Sequence, residues 1–221
     1  MSKYRVPVVI PSHKRAARIP ALKVVDDPIV CIAEGQLAAY KAHNPNVRYH
    51  THPDDLLGLP MKRQWILDEF GTVFMIDDDT TSFRNMAVAP GENADIGPVA
   101  ARRIIDRAEQ HAEELGAYLF SFSPFAHPGG YRATAPFQLT GYVCSAFGVR
   151  EGSKLFYTPD TTTTEDYWIS ALNAHFHRVV WKDMRYAFTT GPMFVTPGGL
   201  AEQRTMNVER ANNEALRRFF G

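Results

Sequence analysis

Short apolar runs alternating with longer segments of helical spacing constrain this chain more than any other feature. The runs cover 6–10, 28–33, 47–50, 72–76, 118–122, 140–149 and 178–181, and helical periodicity fills 38–42, 61–70, 99–116 and 164–176. Strands joined by crossover helices produce this alternation, which predicts an α/β fold with a mixed, mostly parallel sheet and helices on both faces. At 221 residues, 45% hydrophobic and 22% charged, the chain fits one globular domain around a buried sheet. No repeat or low-complexity linker interrupts it. Stretches 87–98 and 123–136 are rich in Gly, Pro and polar residues and read as functional loops. A C-terminal part, 185–221, carries GPMFVTPGGLAEQR and a helical tail at 207–220, expected to close over the site. Open α/β sheets bind ligands beyond the carboxyl ends of their strands, so the site is expected where those ends meet the loops.

The 24 basic and 24 acidic residues cancel, so no general attraction to nucleic acid or membrane is expected and any such contact must be a local patch. Cys31 and Cys144 sit in apolar runs and read as small buried residues of a reducing compartment, not as a disulfide. No apolar run approaches the roughly 18 residues that cross a bilayer, and the N-terminus turns polar after a few apolar residues. A cytoplasmic protein with no membrane partner is the expectation. The oligomeric state is open.

Chemistry concentrates in VFMIDDDTTSF, where four apolar residues run into Asp77, Asp78 and Asp79. Three adjacent carboxylates repel one another, so a cation or a set of donors must offset them, and a divalent metal is the natural candidate. The bland alternative is a turn of solvated acids. The first strand ends in Pro11, Ser12, His13, Lys14 and Arg15, read as a loop entering a helix, and Pro60, Met61, Lys62 and Arg63 open a second helix. Cations at a helix start oppose the macrodipole unless an anion is shared there, which points to phosphate; pairing with nearby acids is the alternative. Glu165 and Asp166 fall in the first turn of a helix, where Thr162 with Glu165, or Thr163 with Asp166, has capping-box spacing. A carboxylate so placed can also take a hydroxyl proton as general base.

The order VVIPSxxR, GLPMKRQWIL, FMIDDD and TTEDYWISAL resembles the GT-A (Rossmann-like) glycosyltransferases over roughly residues 4–185. The resemblance implies a divalent metal, Mn2+ or Mg2+, and a nucleotide-sugar donor such as a UDP-sugar. It assigns Pro11, Ser12, Arg15 and Glu34 to the nucleotide and Arg63 to its base or diphosphate. Asp77 and Asp79 become the DxD acids and metal ligands, Asp79 foremost, with Asp78 also beside the nucleotide-sugar and Asp166 or Glu165 the base. The family's later histidine ligand has no counterpart after His177, and Gly198, Gly199 and Arg204 stand as a diphosphate or acceptor loop. The small size, DDDT and GGLAEQR are similar to the TET-associated glycosyltransferases of bacteriophages, which implies hydroxymethylated pyrimidines in DNA as acceptor.

DDDTT also fits the DxDxT motif of haloacid-dehalogenase-like phosphatases, but that reading leaves PSHKR without purpose and expects Gly where Thr80 stands. A nucleotidyltransferase would need a Gly-rich loop after its first strand. A non-catalytic nucleotide-sugar-binding module is the remaining alternative. Arg102, Arg103 and Arg107, and Arg204, Arg210, Arg217 and Arg218, are candidate phosphate strips or solvated helix faces. Trp65, Phe120, Phe122, Trp168, Phe176 and Trp181 read as core.

Overall fold

The computed structural model describes residues 3–89, 91–191 and 205–221. Its strands are β1 (Val8–Pro11), β2 (Ile29–Ala33), β3 (Arg48–His52), β4 (Val73–Ile76), β5 (Thr80–Asn85), β6 (Leu119–Ser123), β7 (Phe137–Gln138), β8 (Ala146–Val149) and β9 (Val180–Thr190). The helices are α1 (Leu37–His43), α2 (Leu59–Phe70), α3 (Pro98–Glu114), α4 (Glu165–Phe176) and α5 (Met206–Phe220). One sheet takes the order β3-β2-β1-β4-β8-β6-β9-β5, with β7 beside β9. β1, β2, β3, β4, β6 and β9 point one way and β5, β7 and β8 the other. The mixed, mostly parallel α/β sheet expected from the alternation is therefore what forms.

Side chains leave a strand to alternate faces, and both faces here are covered. Val8, Ile10, Phe74 and Ile76 join the α3 residues Ala101, Ile105, Ala108 and Ala112 on one side. Val9, Val73 and Met75 meet Ile66 of α2 and Trp168, Ile169 and Leu172 of α4 on the other. Burial on both faces explains the unbroken apolar runs of the central strands. At the centre, Gly148 of β8 lies opposite Phe120 of β6, and a Cβ there would come within 2.0 Å of the Phe120 ring. Only glycine lets that ring cross.

Several expectations need correction. Residues 140–145 do not extend β8, because Gly141 takes a φ of +98° and the Val143 amide donates to Ser170 Oγ at 3.0 Å. β9 runs on to Thr190, against β5, a strand the sequence hid: its register shifts between Thr80 and Ser82, which breaks the period of two. No α-helix starts at Ser12; the chain instead turns into a 3-10 helix at Pro20–Lys23. Arg102 belongs to no phosphate strip, being 1% exposed with Nη2 donating to the Val6 carbonyl at 2.6 Å, while Phe176 is 41% exposed and not core. Both cysteines are free.

Candidate active site

Chain order places a switch in the sheet between β1 and β4: β2 and β3 build outward on one side of β1, and β4 comes back on the other. Ligands of α/β sheets lie at such a crevice. Pro11, buried at the last position of β1 and paired in register with Cys31, leads into Ser12 there. Glu34, exposed, follows β2, and the Asp77–Asp79 turn follows β4. Because β8 runs antiparallel to β4, the chain just before it also enters at this edge: the Asp77 amide donates to the Ser145 carbonyl at 3.1 Å.

One arginine from each basic segment, Arg15 and Arg63, proves to be an internal counter-ion of the triplet. Arg15 pairs through Nη1 with Asp78, which also accepts the Ser12 hydroxyl at 2.6 Å and is 7% exposed. Ser12 is in contact with Tyr40 as well, and its carbonyl accepts from Lys62, whose ammonium is lowered to about 8 by burial. Arg63 is 1% exposed; its Nη2 donates to Asp77 Oδ1 at 2.7 Å, and its Nε lies 4.0 Å from Glu165 Oε1. The guanidinium rests over the Phe147 ring at 5.1 Å. Thus Arg63 is a buried cation beneath the acids, with its charge met from inside the protein. Asp79 is the open member of the triplet, with a side chain 41% exposed and Arg15 Nη1 at 3.7 Å.

Glu165 and Asp166 reach the same space from α4. Asp166 is half-buried and accepts the Tyr167 amide at 2.8 Å, and its charge bears on Asp77 and Glu165. Burial pushes the Asp77 carboxyl up to about 7; Arg63 opposes this, while Asp79, Asp78 and Asp166 reinforce it. Glu165 is likewise pushed up to about 7 by burial, against Arg63 and with Asp166 and Asp77. Five carboxylates thus face two arginines. The capping boxes expected at Thr162 and Thr163 do not form, because the N-cap is Thr164 and the threonines around it bond to Asn212 of α5.

Sequence reasoning missed Tyr40, Tyr157 and the Tyr142–Tyr167 pair. Those last two rings stack 5.8 Å apart at 25° beside Asp166, and the TTEDYW segment, with an aromatic next to an acid pair, carried that signal. Gly198, Gly199 and Arg204 lie outside the described residues.

A pH test follows from the raised carboxyls. Since Asp77 and Glu165 hold protons in the folded state that the unfolded chain has already released, they favour folding at low pH and that stability is lost as pH rises through about 7. His52 and His177, both lowered by burial, act oppositely in the histidine range. Without divalent cations, Tm is therefore expected to fall from about pH 6.5 to about pH 7.5; a rise in scanning fluorimetry would show the acids to be well compensated by Arg63.

Among the described residues no group of three or more His, Cys, Asp or Glu is disposed to hold a metal ion, and no helix there is long and apolar enough to cross a membrane. No individual curated protein matches the chain. A family model of the TET-associated glycosyltransferases matches residues 6–194, a span that contains β1 with its loop, the acid triplet and the α4 acid pair. The chain belongs to the TET-associated glycosyltransferase family, and is a glycosyltransferase.

Proposed function

We propose that this enzyme takes a sugar from a nucleoside diphosphate sugar, in particular a UDP-sugar, with a divalent cation at Asp77 and Asp79, and passes it to the hydroxymethyl group of a modified pyrimidine in DNA. The observation that carries the proposal is the acid cluster at the switch between β1 and β4: Asp77, Asp78, Asp79, Glu165 and Asp166 against Arg15 and Arg63, with two of the carboxyls pushed up to about 7. Negative charge in excess of its internal partners suits a cation. Asp77 and Asp79 offer hard oxygen donors, and Mg2+ or Mn2+ is commonly held by one or two carboxylates with the remaining positions taken by substrate phosphates and water. That donor set fits a cation shared with a diphosphate better than a closed protein cage.

When bound, the cation would neutralise charge on the departing diphosphate. Among the protein's own groups, Asp166 is suited to the general base, because it is half-buried beside the exposed Tyr167 and in the field of Asp77. Glu165 is 8% exposed and turned towards Arg63, which suits it to fixing Arg63 and Asp77. Ser12, Arg15 and Asp78 form the wall behind the donor. Glu34 and Pro11 flank the place where a nucleotide base would lie at the ends of β1 and β2. The Tyr142–Tyr167 stack offers an aromatic surface to an acceptor base, and stacking of this kind contributes about 1–3 kcal/mol per base.

The test uses manganese, a panel of UDP-sugars and DNA with or without 5-hydroxymethylpyrimidines, read by mass spectrometry. One hexose mass per modified base is expected, with unmodified DNA inert and single-stranded sites reacting at least as well as paired ones, since flipping a base costs a few kcal/mol. UDP should raise Tm only with the metal present, by an amount corresponding to about 2.7 kcal/mol at a hundredfold excess over Kd. Transfer to a protein or metabolite instead would reject the DNA acceptor, and an equal UDP shift without metal would reject the cation.

A further inference from the structure

α5 lies beyond the residues 6–194 that match the family, yet it grips the helix that carries the acid pair. Thr164, the N-cap of α4, supplies no side-chain cap. The turn before it is held instead from α5. Asn212 Oδ1 accepts the Thr163 amide at 2.8 Å, the Thr163 hydroxyl at 3.2 Å and the Thr164 hydroxyl at 3.4 Å. Asn212 Nδ2 donates to the Val208 carbonyl at 3.0 Å and to Thr162 Oγ1 at 3.5 Å. Asn212, Thr163 and Thr164 are 4–5% exposed, so the clasp is shielded from water.

A buried asparagine at this position is a departure from what α5 otherwise needs. Ala215, Leu216 and Phe219 continue the same helical face onto the α4 side, where Phe219 and Phe220 meet the fully buried Trp168 ring edge-on at 5.0 and 5.4 Å. Leucine would extend that apolar face, whereas burying an amide is costly unless its hydrogen bonds are made. Here they are made, and with the turn that sets where Glu165 and Asp166 begin. We infer that Asn212 is a positioning residue of the active site: it fixes the 162–164 turn, and so the direction in which the acid pair meets Asp77 and Arg63. The inference rests on the acid pair serving transfer as proposed above. It makes α5 part of the reacting unit and not only a cover for the core.

Transfer by the full chain, with acceptor and donor varied separately, tests it. Asn212→Leu keeps the volume and removes the clasp; kcat is expected to fall about a hundredfold, as a displacement of about an ångström at a reacting group can produce. Donor KM and the metal-dependent UDP shift in Tm are expected to stay at wild-type values. Asn212→Asp keeps the Oδ1 acceptor but loses the Nδ2 bond to the Val208 carbonyl and buries a charge, so it should restore kcat only in part, to a level clearly above Asn212→Leu. Wild-type kcat in Asn212→Leu, or equal loss of kcat and donor binding in both variants, would overturn the role. If Asn212→Leu does not accumulate folded, Thr164→Val removes one hydroxyl of the clasp, and an unchanged kcat there would overturn it too. Absence of transfer by the wild-type chain would reject the proposed reaction and not the clasp.

Discussion

Asp79→Asn is expected to lower transfer by about a thousandfold, near 4 kcal/mol of transition-state stabilisation, with Tm almost unchanged. The separation of the two effects comes from the geometry of the triplet. Asp79 is 41% exposed at its side chain and shares Arg15 only at 3.7 Å, while Arg15 keeps its closer partner Asp78 when Asp79 is neutralised. Little of the fold depends on it. A neutral amide, however, cannot replace an anionic oxygen on a hard divalent cation. Asp78→Asn should show the reverse pattern, since its carboxylate holds Arg15 and the Ser12 loop: a clear fall in Tm with turnover reduced far less. Normal turnover by Asp79→Asn with added manganese or magnesium would remove Asp79 from the reaction.

Arg63→Met should produce the largest loss of stability. Removing one partner of a buried ion pair leaves an uncompensated charge and costs about 3–5 kcal/mol, which in a domain of this size corresponds to a Tm lower by roughly 10 °C. Here one guanidinium serves both Asp77 and Glu165. With it gone, the buried Glu165 and the partly exposed Asp77 keep their charge only at a cost that protonation relieves, so the deficit should be large at about pH 8 and shrink towards about pH 5.5. Arg63→Lys should recover only part, because an ammonium cannot lie flat over Phe147 as the guanidinium does while also reaching Asp77. Thermal melts at both pH values decide the matter, and an equal deficit at each would mean that packing over Phe147, and not charge, makes Arg63 important.

How much of this was legible depended on whether a residue's environment was local. VFMI followed by three acids announces a strand end, because four consecutive residues buried on both faces leave no polar partner until the turn. The two basic segments were equally visible, but their meaning was not. A cation near a helix start reads as open to a ligand, whereas Lys62 and Arg63 face inward. The spacing held a clue: Ile66 and Phe70 follow Arg63 by three and seven positions and belong to the buried side of α2. Asn212 was hidden for a similar reason, since an asparagine in a charged tail reads as solvated until Leu216 and Phe219 mark its face. β5 could not be read at all, because its bulge defeats the alternation on which strand assignment rests.

The amide of Asp77 bonds to the carbonyl of Ser145, one residue before β8, and β8 bridges β4 and β6 at the middle of the sheet. That hydrogen bond ties the acid turn directly to the central seam of the sheet. By thermodynamic reciprocity, whatever free energy couples the two would act both ways: a ligand that binds only the ordered turn would hold the seam closed, and loosening the seam would weaken the ligand by the same amount. Gly148 and Phe120 lie in that seam, so a side chain added at Gly148 is expected to be felt at the acid turn as well as in the core.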